Sequence, residues 1–332
     1  MQPTEALGLA LERLSNTHDF SGAVSITQDG AVVLEEAYGL ASRQLGVRNT
    51  VTTRFPIASA TKMFIALAAL VLSEHGHIAL HEQPGTYVPE LAVLDDGITL
   101  HHLLAHTSGV QDIYNVPSLR LEMQKLKAEQ RSLLSYLVSL PRLFRPGEGW
   151  SYSSTGYILI GYIMERVTGA SFADLMRHYV LAPLSMTNTG VDLPRRINPG
   201  RAYGYTVKDG QFVNAEDDEL SLFAEAPGEL YTTVGDLKLW CDALFDCSLV
   251  TPSTLELMFT PHGRVDALRQ YGYGWFLTPR TPRFRMHGGK TPGFRSLIRQ
   301  YPERRLSVVL LFNTDHVQPW TICNEITPLF AG

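Results

Sequence analysis

The β-like segments of this chain lie at its two ends, with about two hundred residues of mostly helical sequence between them. Near the N-terminus, SGAVSITQ (21–28) and AVVLEEAYG (31–39) alternate apolar and polar residues around Asp29-Gly30, a strong signal for a tight hairpin. A third β-like piece, roughly 48–55, leads to Pro56. In the tail, YGYGWFLT (271–278), RFRMHG (283–288), FRSLIRQYP (294–302) and LSVVLLFN (306–313) read as strands, and Pro302-Glu303-Arg304-Arg305 makes the last turn. Two or three strands, a long helical insertion and then more strands are most simply solved by one antiparallel sheet assembled from both ends.

Between Ala58 and about Phe259 helical periodicity dominates, with Gly/Pro-rich joins at 84–89, 146–149 and 195–200. The N-terminal MQPTEALGLALERLSNTHDF is an amphipathic helix with Leu7, Leu11 and Leu14 on one face, and a closing helix starts near Gln318. The expected class is α+β: an antiparallel sheet from both chain ends, flanked by terminal helices, with a large helical lobe inserted. Residues 1–332 then make one catalytic-type domain, with sub-lobes 1–57 plus 270–332 (sheet) and 58–269 (helical). Clefts form where such lobes meet.

Composition narrows the functions. A hydrophobic fraction of 45% over 332 residues supplies a large core, and the net charge of −5 is spread along the chain. There is no basic stripe with interleaved aromatics, so nucleic acid is not an expected partner. Cys241, Cys247 and Cys323 make no disulfide framework, and no His stands at metal-ligand spacing from them, so neither metal nor cofactor is expected. The longest apolar run, Phe64–Leu72, is too short to span a bilayer. The N-terminus lacks a basic region, a long apolar stretch and a small-residue cleavage site, which points to the cytoplasm, or to secretion or the periplasm if a leader precedes it.

Three short patterns could carry chemistry. In Ser59-Ala60-Thr61-Lys62, serine and lysine stand three apart at the start of the apolar helix TKMFIALAALVLSEHG, and so share a face. Burial favours a neutral amine, which can take the proton of a serine hydroxyl, and the helix N-terminus favours a developing oxyanion. Tyr152-Ser153-Ser154 follows the loop Arg145–Gly149 and precedes a second long helix, so the phenol can reach into a cleft. His287-Gly288-Gly289 ends a strand, where paired glycines let backbone approach a ligand. Each alone has a bland reading: a serine helix cap with a snorkelling lysine, a packed loop aromatic, a Gly-rich strand end with a solvent-facing histidine.

Taken in order, the three patterns resemble those of the serine β-lactamase and penicillin-binding-protein family, whose signature is Ser-x-x-Lys followed by a second and a third short motif. Tyr152-Ser153-Ser154 is similar to the Tyr-x-Asn of class C β-lactamases and DD-peptidases, and His287-Gly288-Gly289 to the His-x-Gly of related esterases and peptidases. The resemblance continues in ITLHHLLAHTSGV (98–110), RPGEGWSYSSTGYILIG (145–161), LAPLSMTNT (181–189), PGELYTTVGDLKLW (227–240) and HGGKTPGF (287–294).

The resemblance implies that Ser59 is the acylated nucleophile, Lys62 its base, and Tyr152 the group that shares protons with the lysine and activates the deacylating water. It implies an oxyanion hole from the N–H groups of Ser59 and Lys290, with Gly289 and Tyr114 shaping the pocket. His287 matches the third-motif cation or a hydrogen-bonding substitute for it. Two positions depart from the family. Ser154 stands where Asn is common, which weakens contact with a substrate amide. His287 stands where β-lactamases have Lys, which weakens a carboxylate anchor. Both departures favour small esters or amides, with esterase action expected first; a β-lactamase, DD-peptidase or D-aminopeptidase is the alternative, and a non-catalytic binding or sensor protein on the same fold the alternative of another class. The partner implied is a small-molecule ester, amide or β-lactam. His106-Thr107-Ser108-Gly109 reads as a structural turn rather than a Ser/His dyad, and no Gly-x-Ser-x-Gly elbow is present.

Overall fold

The Asp29-Gly30 turn closes as its sequence requires: both residues have positive φ, 51° and 77°, the geometry that matches strand twist. It joins β1 (Gly22–Gln28) to β2 (Ala31–Tyr38) in a computed structural model that describes residues 3–94, 96–128, 132–193, 196–215, 229–279 and 283–330. Residue 195 of the 195–200 join and Pro227-Gly228 of the 227–240 segment lie outside the described residues.

Six strands from the other end complete the sheet: β3 (Gly263–Arg264), β4 (Gln270–Tyr271), β5 (Phe276–Thr278), β6 (Phe284–Thr291), β7 (Phe294–Tyr301) and β8 (Leu306–Phe312). The order is β3-β4-β5-β6-β7-β8-β1-β2, antiparallel throughout, so β8 from the tail pairs directly with β1, from Gly22 opposite Phe312 to Gln28 opposite Leu306.

Alternation along β8 sorts side chains to two faces. Leu306, Val308, Leu310 and Phe312 join Leu7, Leu11 and Leu14 of α1 (Pro3–His18) and Ile322, Cys323 and Ile326 of the closing helix (Pro319–Ile326). Val309 and Leu311 face the other way, into the core shared with the inserted helices. The centre of that second core is α2 (Thr61–Glu74), buried at every position from Thr61 to Leu72. A helix apolar all round must be covered on all sides, and Phe64 stacks on Trp240 at 3.8 Å between ring centroids.

The structure corrects three readings of the sequence. The segment 48–55 is not one strand; Val47–Arg48 and Phe55–Pro56 are short paired pieces, Arg54 makes an isolated bridge to Arg201, and Thr50 and Thr53 close a turn between them. The Thr53 hydroxyl accepts the Thr50 N–H, a backbone group that a strand would have paired across its ladder. The stretch 271–278 breaks at 272–275, where Gly274 takes φ 76° and a Cβ would meet the Lys62 carbonyl at 2.8 Å. The helical region also holds strands, including the hairpin Tyr205–Lys208 and Gln211–Asn214. Its turn, Asp209-Gly210, carries the same signal as the N-terminal hairpin, and both residues again have positive φ.

Candidate active site

The chain reaches Ser59 through a turn fixed from three sides. Ile57 N–H donates to the Leu230 carbonyl at 2.9 Å, Leu230 N–H donates to Thr61 Oγ1 at 3.0 Å, and Ser296 Oγ on β7 donates to the Ile57 carbonyl at 2.8 Å. Ala58 takes φ 50°, a left-handed conformation that costs a non-glycine residue about 1 kcal/mol or more and survives because the surroundings hold it. Gly289 on β6 lies against this turn so closely that a Cβ would collide with the Ile57 carbonyl and sit 2.9 Å from Ala58 Cβ. Ser59 itself is half-buried in the single 3₁₀ turn Ala58–Ala60 that runs into α2. One turn on, Lys62 is 6% exposed, and its Nζ lies 3.3 Å from Ser59 Oγ.

Tyr152 arrives from the inserted helical region. His106 clamps the backbone on both sides of it: Ser151 N–H donates to the His106 carbonyl at 3.0 Å and Ser153 N–H to His106 Nδ1 at 3.2 Å. Ser153 Oγ then accepts from Gly156 N–H at 3.3 Å and caps the helix Ser154–Thr168. The Tyr152 ring stands 4.5 Å from the His106 ring and 6.1 Å from His287, with Lys62 Nζ 5.0 Å from its centroid. Because Nδ1 accepts a hydrogen bond, His106 is neutral with its proton on Nε2. Burial holds its pKa well below the usual histidine value, and the neighbouring Lys62 acts in the same direction. His106 is thus a buried strut under Tyr152, itself at φ 60°, and Ser108 Oγ accepts from Val110 N–H at 3.3 Å rather than pairing with it.

The third motif lies on β6. Strand β5 pairs only with residues 284–286, so residues 287–291 have their β6 edge free of that strand and turned to the nucleophile turn. His287 is not a solvent-facing side chain: it is 2% exposed, and its Nδ1 bonds the Gly288 carbonyl at 2.7 Å, which puts the proton on Nδ1. Burial, then the Lys62 charge, pushes its pKa down to about 3, so the ring is neutral at physiological pH. Lys290 is exposed and sits opposite Arg295 in the β6–β7 register.

Ser154 is buried at the start of its helix, and Asp112, 6% exposed, lies on a neighbouring turn tied to that helix where Thr155 Oγ1 accepts from Ile113 N–H at 2.9 Å. The sequence reading did not single out Asp112. Its only signal is position, three residues past Gly109 in the His-Thr-Ser-Gly segment. Tyr114 is 41% exposed, and its N–H donates to Asp112 Oδ1 at 3.2 Å.

Among the described residues no group of three His, Cys, Asp or Glu side chains could hold a metal ion. Among the described residues no helix is long and apolar enough to cross a membrane. A separate open cavity of about 690 Å³, lined by His77, His81, Tyr87, His101 and Tyr273 among others, contains none of the candidate residues.

The family model described as Beta-lactamase matches residues 10–326. The chain is 28% identical over 324 residues to "Penicillin-binding protein 4*" of Bacillus subtilis (strain 168), covering 92% of this chain and 70% of that protein. It is 29% identical to "Protein flp" of Staphylococcus aureus (strain MRSA252) over 91% of this chain, spanning 61% of that longer protein. Its fold superposes with TM-score 0.83 on the crystal structure of a penicillin binding protein from Bacillus halodurans, at 25% identity, over 96% of this chain and 100% of the other.

Proposed function

The chain belongs to the beta-lactamase family, and from that premise we propose that it is a serine hydrolase that works through an acyl-enzyme on Ser59. The observation that carries the proposal is the 3.3 Å contact between Lys62 Nζ and Ser59 Oγ at the buried start of α2, with Tyr152 beside the same amine.

The chemistry follows from that geometry. Lys62 as a free amine takes the Ser59 proton, and Oγ attacks the substrate carbonyl. The oxyanion falls to the backbone N–H groups of Ser59 and Lys290, by analogy with the family's third-motif edge. The proton held between Lys62 and Tyr152 passes to the departing alkoxide or amine. In the second half, the same pair takes a proton from water, whose oxygen attacks the acyl carbon, and Ser59 leaves with that proton.

Small esters are the substrates the site suits best. A β-lactam binder needs a cation for the carboxylate and an amide for the acylamino group. Here His287 is neutral and internally bonded, and Ser154 is a short, buried hydroxyl where an amide would be needed. One lost charged hydrogen bond costs about 1.5–3 kcal/mol, or one to two decades in rate. Lys290, exposed three residues on, supplies the one nearby cation of the third motif and could restore part of that charge.

A fluorophosphonate probe should label the protein once, at Ser59, and Ser59→Ala should abolish both labelling and turnover. An adduct on another serine, with Ser59→Ala still active, would overturn the mechanism. For specificity, kcat/KM for p-nitrophenyl butyrate should exceed that for nitrocefin. The reverse order rejects the esterase reading and moves the protein to β-lactam hydrolysis.

A further inference from the structure

The break at 272–275 starts β5 beside the nucleophile. Gly274 lies against the Lys62 carbonyl, and Trp275 goes into the core at 0% exposed. Phe276, the next residue and the first of β5, is left half-buried. It pairs with Met286, the last residue of β6 that β5 covers, so it stands where the free edge of residues 287–291 begins.

Three rings meet at that point. Phe276 lies 6.4 Å from Tyr152, with the two planes within 8° of parallel, and 5.3 Å from His287; His287 is in turn 6.1 Å from Tyr152. The buried ring of Tyr271 meets Phe276 edge-on at 4.9 Å and supports it from the core side. Two of the three rings belong to the second and third motifs. Phe276 belongs to neither, and its local sequence marks it only as part of a strand-like stretch.

The charges nearby are already engaged. His287 Nδ1 bonds the Gly288 carbonyl at 2.7 Å. The Arg269 guanidinium, 5.6 Å from the Phe276 centroid, is held by Asp266 through Nε at 2.8 Å and its terminal nitrogen at 2.7 Å. Lys62 serves Ser59. A carboxylate set against these rings would lose water without a free partner, whereas a flat apolar group gains ring contacts and buried area.

We propose that Phe276 is a specificity-determining residue: with Tyr152 and His287 it forms the subsite for the alcohol part of the ester, and the alcohol it takes is apolar and aromatic. This rests on the acyl-enzyme reading above and names the substrate class of the same site. In acylation the Ser59 Oγ–carbon bond forms, the ester carbon–oxygen bond breaks, and the alcohol oxygen leaves with the proton that Ser59 gave up. That proton comes from the Lys62–Tyr152 pair, so the departing alcohol lies along Tyr152, the ring that Phe276 faces. Phe276 exchanges no proton; it holds the group that departs.

The test fixes the acyl group as acetyl and varies the alcohol among phenyl acetate, β-naphthyl acetate and m-acetoxybenzoate. Their phenols are of similar acidity, so kcat/KM reports contact rather than leaving-group chemistry. Wild type should prefer naphthyl to phenyl by about fivefold or more, and should disfavour the carboxylate-bearing ester by about tenfold or more. In Phe276→Ala the naphthyl-to-phenyl ratio should fall by about threefold or more, while the butyrate-to-acetate ratio of p-nitrophenyl esters stays within about twofold of wild type. An unchanged naphthyl-to-phenyl ratio overturns the proposal. So does an acyl ratio that moves as much or more, which would put the rings on the acyl side. If Phe276→Ala does not fold, the wild-type order decides. Naphthyl no better than phenyl, or m-acetoxybenzoate accepted as well as phenyl acetate, as a Lys290 anchor would give, overturns the proposal. Turnover surviving in Ser59→Ala is a different failure, that of the acyl-enzyme reading itself.

Discussion

Gly289→Ala tests whether the third motif acts by letting β6 approach the nucleophile turn. The added Cβ would overlap the Ile57 carbonyl and lie 2.7 Å from Ser296 Oγ and 2.9 Å from Ala58 Cβ. Two of those three neighbours are not the ends of flexible side chains, so either β6 or the turn must move. Overpacking of this kind costs about 1–3 kcal/mol. At about 2.1 cal/mol/K of unfolding entropy per residue, 2 kcal/mol lowers the Tm of this 332-residue chain by about 3 °C. The loss of rate should be larger than that suggests. The same carbonyl is held by Ser296 Oγ at 2.8 Å and stands two residues before Ser59, so a displacement there is passed to the nucleophile. A misplacement near 1 Å costs about 10²-fold. Esterase kinetics on the purified variant, paired with thermal melting, should show kcat/KM down about 10² with most of the fold intact. The control is Gly235→Ala, on the helix Val234–Asp246, where an added Cβ meets only Thr233 Oγ1 at 3.9 Å. It should keep full activity and gain up to about 1 kcal/mol from helix propensity. If Gly289→Ala hydrolyses esters within about threefold of wild type, close approach of β6 is not what this glycine is for.

Two further predictions concern protons. Lys62→Ala and Tyr152→Phe should each lower kcat/KM by about 10² to 10⁴, and the double variant should lose less than the product, because the two groups act as one unit; a Lys62→Ala enzyme with near-normal turnover at neutral pH refutes the base assignment. Burial, then the charges of His262 and His102, lowers the pKa of His101 to about 4, so its unfolded form binds a proton that the folded form refuses between about 6.5 and 4. Stability is therefore complete above that window and declines as pH falls through it. The urea midpoint should drop from neutral pH to pH about 5, and less so in His101→Gln; equal pH dependence in the two proteins would remove His101 from the explanation.

How much of the site was legible depends on the distance over which each relation acts. Ser59 and Lys62 lie three residues apart on one helix, so local geometry alone puts them on one face. The Asp209-Gly210 hairpin was equally readable, but the surrounding helical periodicity masked it. Tyr152 could be placed before a helix, whereas the His106 clamp that aims it joins residues 47 apart in sequence. Ile113 and Thr155, whose hydrogen bond ties the turn after the His-Thr-Ser-Gly segment to the helix after Tyr152, are 42 residues apart, and nothing in either local pattern announces the pair.

By itself the sequence determined the elements whose signals are local: the N-terminal hairpin, the wholly apolar α2, the strands of the tail and the sharing of a face by Ser59 and Lys62. From strands at both ends it also pointed to one sheet assembled from the two ends of the chain. The tertiary structure decided which polar groups lose water. Histidine at position 287 could have been a cation or a neutral ring until burial and the nearby lysine settled it as neutral. Serine at position 296 could have bonded anywhere along its strand until the fold brought the Ile57 carbonyl to its hydroxyl. Charge state and hydrogen-bond partner depend on desolvation and on neighbours brought together from distant parts of the chain, and those exist only once the chain has folded.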